Sequence, residues 1–466
     1  MVRELPLPRD RRLEHRRFRR FVREVHSWFE PARVFLLAFL AVDLLGTGLL
    51  MTPAATPDGE GLDFVPALFS ATSALAVCGL GVISIGHDLT GFGQGVVLAL
   101  IQIGGVGIMT MASLLGATVI HRFSVRMQLN VEAETHSQQG GDVRGIVGRI
   151  ALAFVIFEGL TFILVTCRLW LGYDMSFGEA AYSGLFHAVS AFNNAGMSLY
   201  DDNFLRFSGD ALILAPVAAA IVLGGIGFPV LLELRSRLHR PRTWNLHTKI
   251  TVTTTVVLLI GGMVTVTALE WHNPNTLAPL HWSARLTDGF FHGVVPRSGG
   301  INVVKTGQME DSTLLVTIML MFVGGGSAGT SGGIKVTTLA VLIAVVVTEV
   351  RAHDKVHVFG RRLSPEVIRQ SLSLVFLSSM LVTVTTLLLL ATTDHPLLPV
   401  LFEVVSAFGV VGLSTGLTSV LPAWAQCLLI VLMVAGRIGP ITFVTALVWR
   451  DRRRRYEFAE ARPIIG

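Results

Sequence analysis

The chain has 466 residues, of which 52% are hydrophobic and 15% charged, with a formal net charge of +5. The mean hydropathy is +0.63, against the roughly 25% charged residues of an ordinary soluble protein. That balance, and apolar runs without alternating strand and helix patterns, exclude a large soluble α/β core. Cys78, Cys167 and Cys427 give neither a disulfide framework nor a metal-ligand spacing. Nucleic acid is excluded as a partner, because the basic residues cluster between the apolar runs.

Taken in chain order, residues 1–33 hold ten arginines and are expected to form a basic cytoplasmic N-terminus rather than a cleavable signal. Eight membrane spans follow, at 34–50, 92–120, 146–170, 210–234, 249–269, 312–348, 370–391 and 420–448. Between successive pairs lie shorter apolar segments, 63–76, 179–192, 283–296 and 399–409, too short to cross a bilayer and suited to re-entrant helices. The pieces group into repeats at 34–120, 146–234, 249–348 and 370–448, followed by a basic tail at 449–466.

Charge sets the direction of the spans. Residues 1–33, the loops 121–149, 235–249 and 350–369, and the tail after Val448 hold ten, four, five, five and six Lys or Arg. Those are 30 of the chain's 37 basic residues, all on one side of an eight-span arrangement, and the positive-inside rule makes that side cytoplasmic. The opposite loops carry Asp58, Glu60, Asp201, Asp202, Glu310 and Asp311.

The short segments resemble one another: "LFSATSALAVCGLG", "LFHAVSAFNNAGMS", "GFFHGVVPRSGGIN" and "LFEVVSAFGVVGLS". Aligning Phe69, Phe186, Phe290 and Phe402 puts a glycine ten residues later each time, at Gly79, Gly196, Gly300 and Gly412. Each unit crosses twice, so all four point the same way and equivalent residues surround one axis normal to the membrane. Extended backbone at four such turns presents carbonyls that replace the hydration shell of a monovalent cation. The expected ion-binding backbone is Val77, Cys78 and Gly79; Asn194, Ala195 and Gly196; Ser298, Gly299 and Gly300; and Val410, Val411 and Gly412. Tight helix packing explains any one such glycine, but not four at one offset. No carboxylate lies in the turns, which argues against a divalent ion.

The second span of the third unit reads "LMFVGGGSAGTSGGIKVTTLA" at 320–340. Six glycines lie between Gly324 and Gly333, and each costs a helix about 1 kcal/mol, so a break is expected. Irregular backbone at that depth has to line a cavity. Gly324, Gly325, Gly326, Ser327, Ala328, Gly329, Thr330, Ser331, Gly332, Gly333 and Lys335 are the candidate gate, with a static kink as the alternative. Arg437 interrupts the last span, either beneath the ion path or as a helix-locking ion pair; Arg297, beside Asn302 in the third turn, is expected to brace filter backbone. The Gly-Gly-x-Gly stretches at 104–107 and 224–227, and Gly436-Arg437-Ile438-Gly439, read as close packing with slight bending. Asp43 and Glu158 are candidate partners for buried basic groups, and Asn193 and Asn194 candidate braces of the second turn.

The four turns, "RSGGIN" at 297–302, "GGGSAGTSGGIKVTT" at 324–338 and "GRIGP" at 436–440 resemble the Trk/Ktr/HKT superfamily of potassium transporters over about residues 34–448. Within it the chain is most similar to the membrane subunits (KtrB) of the bacterial Ktr system. The resemblance implies an all-α protein of four membrane–pore–membrane repeats around one potassium path, in the bacterial inner membrane with both termini cytoplasmic. It implies filter backbone at the four glycines, a gate in the third unit and an arginine near the pore at Arg437. It also implies pairing with a second copy and control by cytoplasmic nucleotide-binding subunits of the KtrA/TrkA kind. K+ is the transported ion and Na+ a possible modulator. No dinucleotide fingerprint or phosphate-binding loop occurs in this chain, so no organic cofactor is expected on it. Relatives often read Arg-Thr-Ala-Gly-Phe-Asn where Arg297, Ser298, Gly299, Gly300, Ile301 and Asn302 stand here. Retention of all four glycines resembles the potassium-selective pattern.

The basic patches are expected to meet regulatory subunits or anionic membrane lipid. No nucleophile–base constellation is visible, so the chain is not expected to be an enzyme. A sodium- or proton-coupled secondary transporter and a structural membrane scaffold are the rival readings.

Overall fold

The computed structural model describes residues 31–121 and 143–439. Most of the basic N-terminus, the loop at 122–142, the end of the last expected span and the tail with "RDRRRR" lie outside the described residues. The described chain is helical apart from a hairpin of two-residue strands, β1 (His357–Val358) and β2 (Arg361–Arg362). In chain order the helices are α1 (Pro31–Leu50), α2 (Phe64–Ala76), α3 (Gly91–His121), α4 (Val143–Gly172), α5 (Phe177–Asn193), α6 (Ala211–Ile226) and α7 (Phe228–Arg237). There follow α8 (Leu246–Glu270), α9 (Trp282–Val294), α10 (Asp311–Phe322), α11 (Val336–Val350), α12 (Pro365–Thr392), α13 (Leu397–Gly409) and α14 (Ala423–Ile438).

Three described stretches, Val147–Gly172 in α4 and the whole of α8 and α12, are by themselves long and apolar enough to cross a membrane. Their outward faces are apolar: Val155 is 70%, Val257 62% and Phe376 73% exposed. Apolar side chains in such a belt find their solvent in lipid, and each helix satisfies its backbone internally. The protein is an all-α multi-pass membrane protein. The short helices have their own start signals; α5 opens on a capping box in which Ser176 Oγ accepts from Glu179 N and the Glu179 carboxylate accepts from Ser176 N.

Packing between successive groups of helices is cyclic. Helix α3 packs on α5, α6 on α9, α10 on α13, and α14 returns to α2. The short helices α2, α5, α9 and α13 are therefore on the inside, and α1, α4, α8 and α12 flank them.

Two expected spans are broken. The third-unit span 312–348 divides into α10 and α11 around irregular backbone at 323–335. The span expected as one piece at 210–234 is bent by 106° between α6 and α7. The elbow is Gly227, at φ +99°, a conformation closed to most side chains. A Cβ there would collide with Ser327 O, and Phe228 N donates to Ala328 O at 3.2 Å. The slight bending expected from the Gly-Gly-x-Gly stretch is thus a sharp elbow, because another segment of chain occupies its inner side.

Candidate functional site: a ring of four turns and the loop beneath it

Each of α2, α5 and α13 ends in a left-handed residue: Val77 at φ +59°, Asn194 at +63° and Val410 at +53°. The next amide reaches back into the helix, with Cys78 N donating to Ser73 O at 2.7 Å, Ala195 N to Ser190 O at 2.7 Å and Val411 N to Ser406 O at 2.9 Å. This closes the helix and turns the chain sharply. Two residues after each left-handed residue comes a glycine of positive φ: Gly79 at +96°, Gly196 at +66° and Gly412 at +92°. Valine is β-branched and pays for such a φ in strain, so the surrounding packing holds it there.

The third turn reaches the same alternation differently. Ser298, at φ +73°, precedes Gly300 at +61°, but α9 ends at Val294 in a right-handed cap and a further turn is inserted. The repeat alignment is shifted accordingly. Phe69, Phe186 and Phe402 are buried, whereas Phe290 is 42% exposed and Phe291 takes the buried place.

The four glycines meet. A Cβ built on Gly79 would lie 3.0 Å from Gly196 Cα, and one on Gly196 would lie 2.5 Å from Gly300 Cα. A Cβ on Gly300 would approach Val411 O to 2.7 Å, and one on Gly412 would lie 3.0 Å from Gly79 Cα. In chain order the contacts close a ring that no side chain fits inside. On the side of the residues that follow the glycines, a cavity of about 360 Å³ opens, bordered by Gly79, Gly196, Ser84, Asp88, Tyr200 and Asp201.

On the opposite side lies the loop 323–335. Its amides borrow acceptors from other elements: Gly326 N donates to Gly225 O at 2.8 Å and Thr330 N to Gly224 O at 3.1 Å. Gly332 N donates to Ser298 Oγ at 3.2 Å, and Thr330 Oγ1 to Asn194 Oδ1 at 3.1 Å. A Cβ on Gly332 would lie 2.6 Å from Val410 Cβ. Three of the four left-handed residues that enter the ring thus touch the loop directly. Lys335 Nζ donates to Ser331 O at 2.5 Å, within the loop itself.

Two arginines hold the loop. Arg437, buried on α14, donates from Nη1 to Thr330 O, and its Nε and Nη2 have no hydrogen-bond partner among the described residues. Its helix-locking ion pair is absent among the described residues. Arg297 braces the start of the loop rather than filter backbone, reaching Gly324 O at 3.2 Å and Thr255 O of α8 at 3.3 Å. The guanidinium points there because α9 ends short of the third turn. Asn302 Nδ2 donates to Val304 O at 3.1 Å and stays within its own turn.

The intramembrane carboxylates meet neutral partners instead of the expected basic ones. Asp43 Oδ2 accepts from Thr72 Oγ1 at 2.9 Å, and Glu158 from Gln102 Nε2 at 3.2 Å and Asn193 Nδ2 at 3.0 Å. Each draws a short helix against a longer one, so their role is positional.

Several supporting residues escaped the sequence reading. Ser73 Oγ donates to Leu80 O and Ser190 Oγ to Met197 O, both at 2.7 Å, tying the chain beyond each glycine to its own helix. Both stand four residues after an aligned phenylalanine, as does Ser406, and that shared offset was a readable signal. Glu403, buried on α13, accepts from Ser414 Oγ, Thr415 N and Thr418 Oγ1, and so ties down the chain that follows Gly412.

A family model described as TrkH, cation transport protein, matches residues 33–452. The "Ktr system potassium uptake protein B" of Bacillus subtilis (strain 168) is 38% identical over 423 residues, covering 90% of this chain and 94% of that one. The protein of the same name from Vibrio alginolyticus is 36% identical, over 90% of this chain and 91% of its own. The "Potassium/sodium uptake protein NtpJ" of Enterococcus hirae is 32% identical, over 95% and 99%. The fold is similar to the crystal structure of the potassium transporter TrkH from Vibrio parahaemolyticus, with a TM-score of 0.69 at 18% identity, covering 90% of this chain and 86% of that one.

Proposed function

The chain belongs to the TrkH family of cation transport proteins, and on that premise we propose that it takes up potassium through a channel-like path, as the membrane subunit of a Ktr-type system. The observation that carries the reading is the closed ring of Gly79, Gly196, Gly300 and Gly412, each two residues after another positive φ. Alternating backbone of this kind lets successive carbonyls face one axis, where they substitute for the water shell of a monovalent cation. The cyclic packing supports four parallel repeats and eight crossings around that axis. The repeats run 34–120, 146–234, 249–348 and 370–448, between a basic N-terminus at 1–33 and a basic tail at 449–466. The driving force is the electrochemical gradient, with about 2.3 kcal/mol per charge for each 100 mV of potential.

The loop 323–335 is the gate, held closed by Arg437, Ser298 and Asn194 at the inner end of the ring. Arg437 also sets a positive charge below the ring, which limits how long a cation dwells there. Opening withdraws Thr330 from Arg437 and Asn194, and Gly332 from Ser298. Relatives are named as potassium uptake proteins of the Ktr system and, in one case, as a potassium/sodium uptake protein; K+ is accordingly the cargo and Na+ a modulator or minor substrate. A second copy and a cytoplasmic nucleotide-binding ring complete the system, in a bacterial inner membrane with both termini cytoplasmic.

The test is cation flux in liposomes, with and without a purified regulatory ring, comparing K+ with Na+. Passive K+ flux that the ring accelerates is the expected result. Stoichiometric coupling to Na+ or H+ would replace the channel with a secondary transporter, and no flux in any regulatory state would leave a scaffold.

A further inference from the structure

Between the cytoplasmic part of α4 and the α6–α7 elbow lies a cavity of about 1470 Å³. Leu152 and Ile156 of α4 and Leu231 of α7 line it, and Arg235, Arg237 and Arg240 border it where α7 ends. Among the described residues no aspartate or glutamate lines it. Glu233, the acid on α7, is engaged elsewhere, accepting from Asn245 N at 2.8 Å and Thr248 Oγ1 at 2.6 Å. Arg237 Nη1 reaches only Thr243 O, at 3.4 Å, and none of the three arginines is in an ion pair among the described residues. An apolar groove with unneutralised guanidinium groups at its polar end asks for an occupant with the opposite distribution. Its position on the positive, cytoplasmic side puts it beside the leaflet that holds such molecules in excess.

We propose that this groove binds an anionic phospholipid of the cytoplasmic leaflet, with acyl chains against Leu152, Ile156 and Leu231 and the phosphate on Arg235, Arg237 and Arg240. The site also has a route to the ion path. Phe228 borders the groove, and its backbone N–H is the group that donates to Ala328 O of the loop, at 3.2 Å. An occupant wedged against α7 therefore bears on the residue from which the loop hangs. Lipid retention is independent of the transport reading; an effect of lipid on flux rests on the loop being the gate.

The full-length chain is reconstituted in nanodiscs of phosphatidylcholine containing a fifth phosphatidylglycerol, and lipids that survive delipidation are counted by native mass spectrometry. The native chain is expected to retain phosphatidylglycerol preferentially, and R235Q, R237Q and R240Q to weaken retention by about fivefold for each arginine removed. Equal retention of the two lipids by the native chain overturns the site, whether or not the variants fold. So does a crosslink from a Leu231→Cys variant to residues 1–30 or 122–142, which would put the chain itself in the groove. In liposomes, K+ flux of the native chain is expected to change severalfold on adding phosphatidylglycerol, and flux of the triple variant to be indifferent to it. Retention without a flux response overturns the coupling alone. Absent flux in every liposome is the failure of the transport reading, and the retention count tells the two apart.

Discussion

The ring turns and the loop beneath them are both irregular backbone deep in a membrane protein, yet their hydrogen bonds go to different places. In three of the turns the amide after the left-handed residue returns to its own helix, as Ala195 N does to Ser190 O at 2.7 Å. Besides internal bonds such as Gly324 N to Ile334 O at 2.8 Å, the loop 323–335 borrows acceptors from α6 and from the second and third turns, and a donor, Arg437, from α14. Locally closed backbone keeps its partners whatever its neighbours do, whereas borrowed partners are lost as soon as one neighbour shifts. The third turn stands between the two kinds. Its Ser298 is shared among Gly332 N, Gly409 O and Val410 O, so it joins the loop to the third and fourth turns.

The sharpest way to break this contrast is Gly196→Ala. The new methyl would stand 2.5 Å from Gly300 Cα at a φ of +66°, and potassium flux in liposomes is expected to vanish while the purified protein stays folded; native flux would show that the ring is not the ion path. Next in size is Arg437→Ala, which removes the charged donor to Thr330 O. A charge-assisted hydrogen bond contributes about 1.5–3 kcal/mol, so basal K+ flux without regulatory subunits should rise on the order of tenfold or more. Unchanged flux from a folded variant would mean that the arginine does not hold the gate. Thr330→Val deletes a neutral hydroxyl bond to Asn194, worth about 1 kcal/mol, and should raise basal flux about fivefold. The smallest effect separates two serines at one repeat position. Ser190→Ala strands Met197 N and Met197 O and should lower stability by about 1–3 kcal/mol in thermal unfolding in detergent. Ser406 Oγ has no partner among the described residues, so Ser406→Ala should cost less than about 0.5 kcal/mol.

Membrane class, the position of the turns and the break at 323–335 were legible because each is written in a local code: apolar length, a glycine at a fixed offset, and glycine density. Partners distant in the chain were not. Asp43 and Glu158 read as counter-ions for buried bases, but their carboxylates accept from Thr72, Gln102 and Asn193. Arg297 read as a brace of its own turn, but the early end of α9 sends its guanidinium to α8 and Gly324. The site's tightest support, the Glu403 carboxylate under four hydroxyl and amide donors, gave no periodic signal because it occurs once.

The three Gly-Gly-x-Gly-like stretches mark the boundary between the two kinds of information. In each, the first glycine faces a carbonyl of a short inner helix: Gly104 meets Leu75 O, Gly224 meets Phe192 O and Gly436 meets Phe408 O. The sequence determined that contact, since only a residue without a side chain admits another backbone so closely. What the fourth residue does was decided by tertiary structure. Gly107 continues its helix, while Gly227 and Gly439 leave theirs at φ +99° and +93°. A glycine permits either conformation at similar cost, so at Gly227 the choice falls to what packs beside it, the backbone of Ser327 and Ala328.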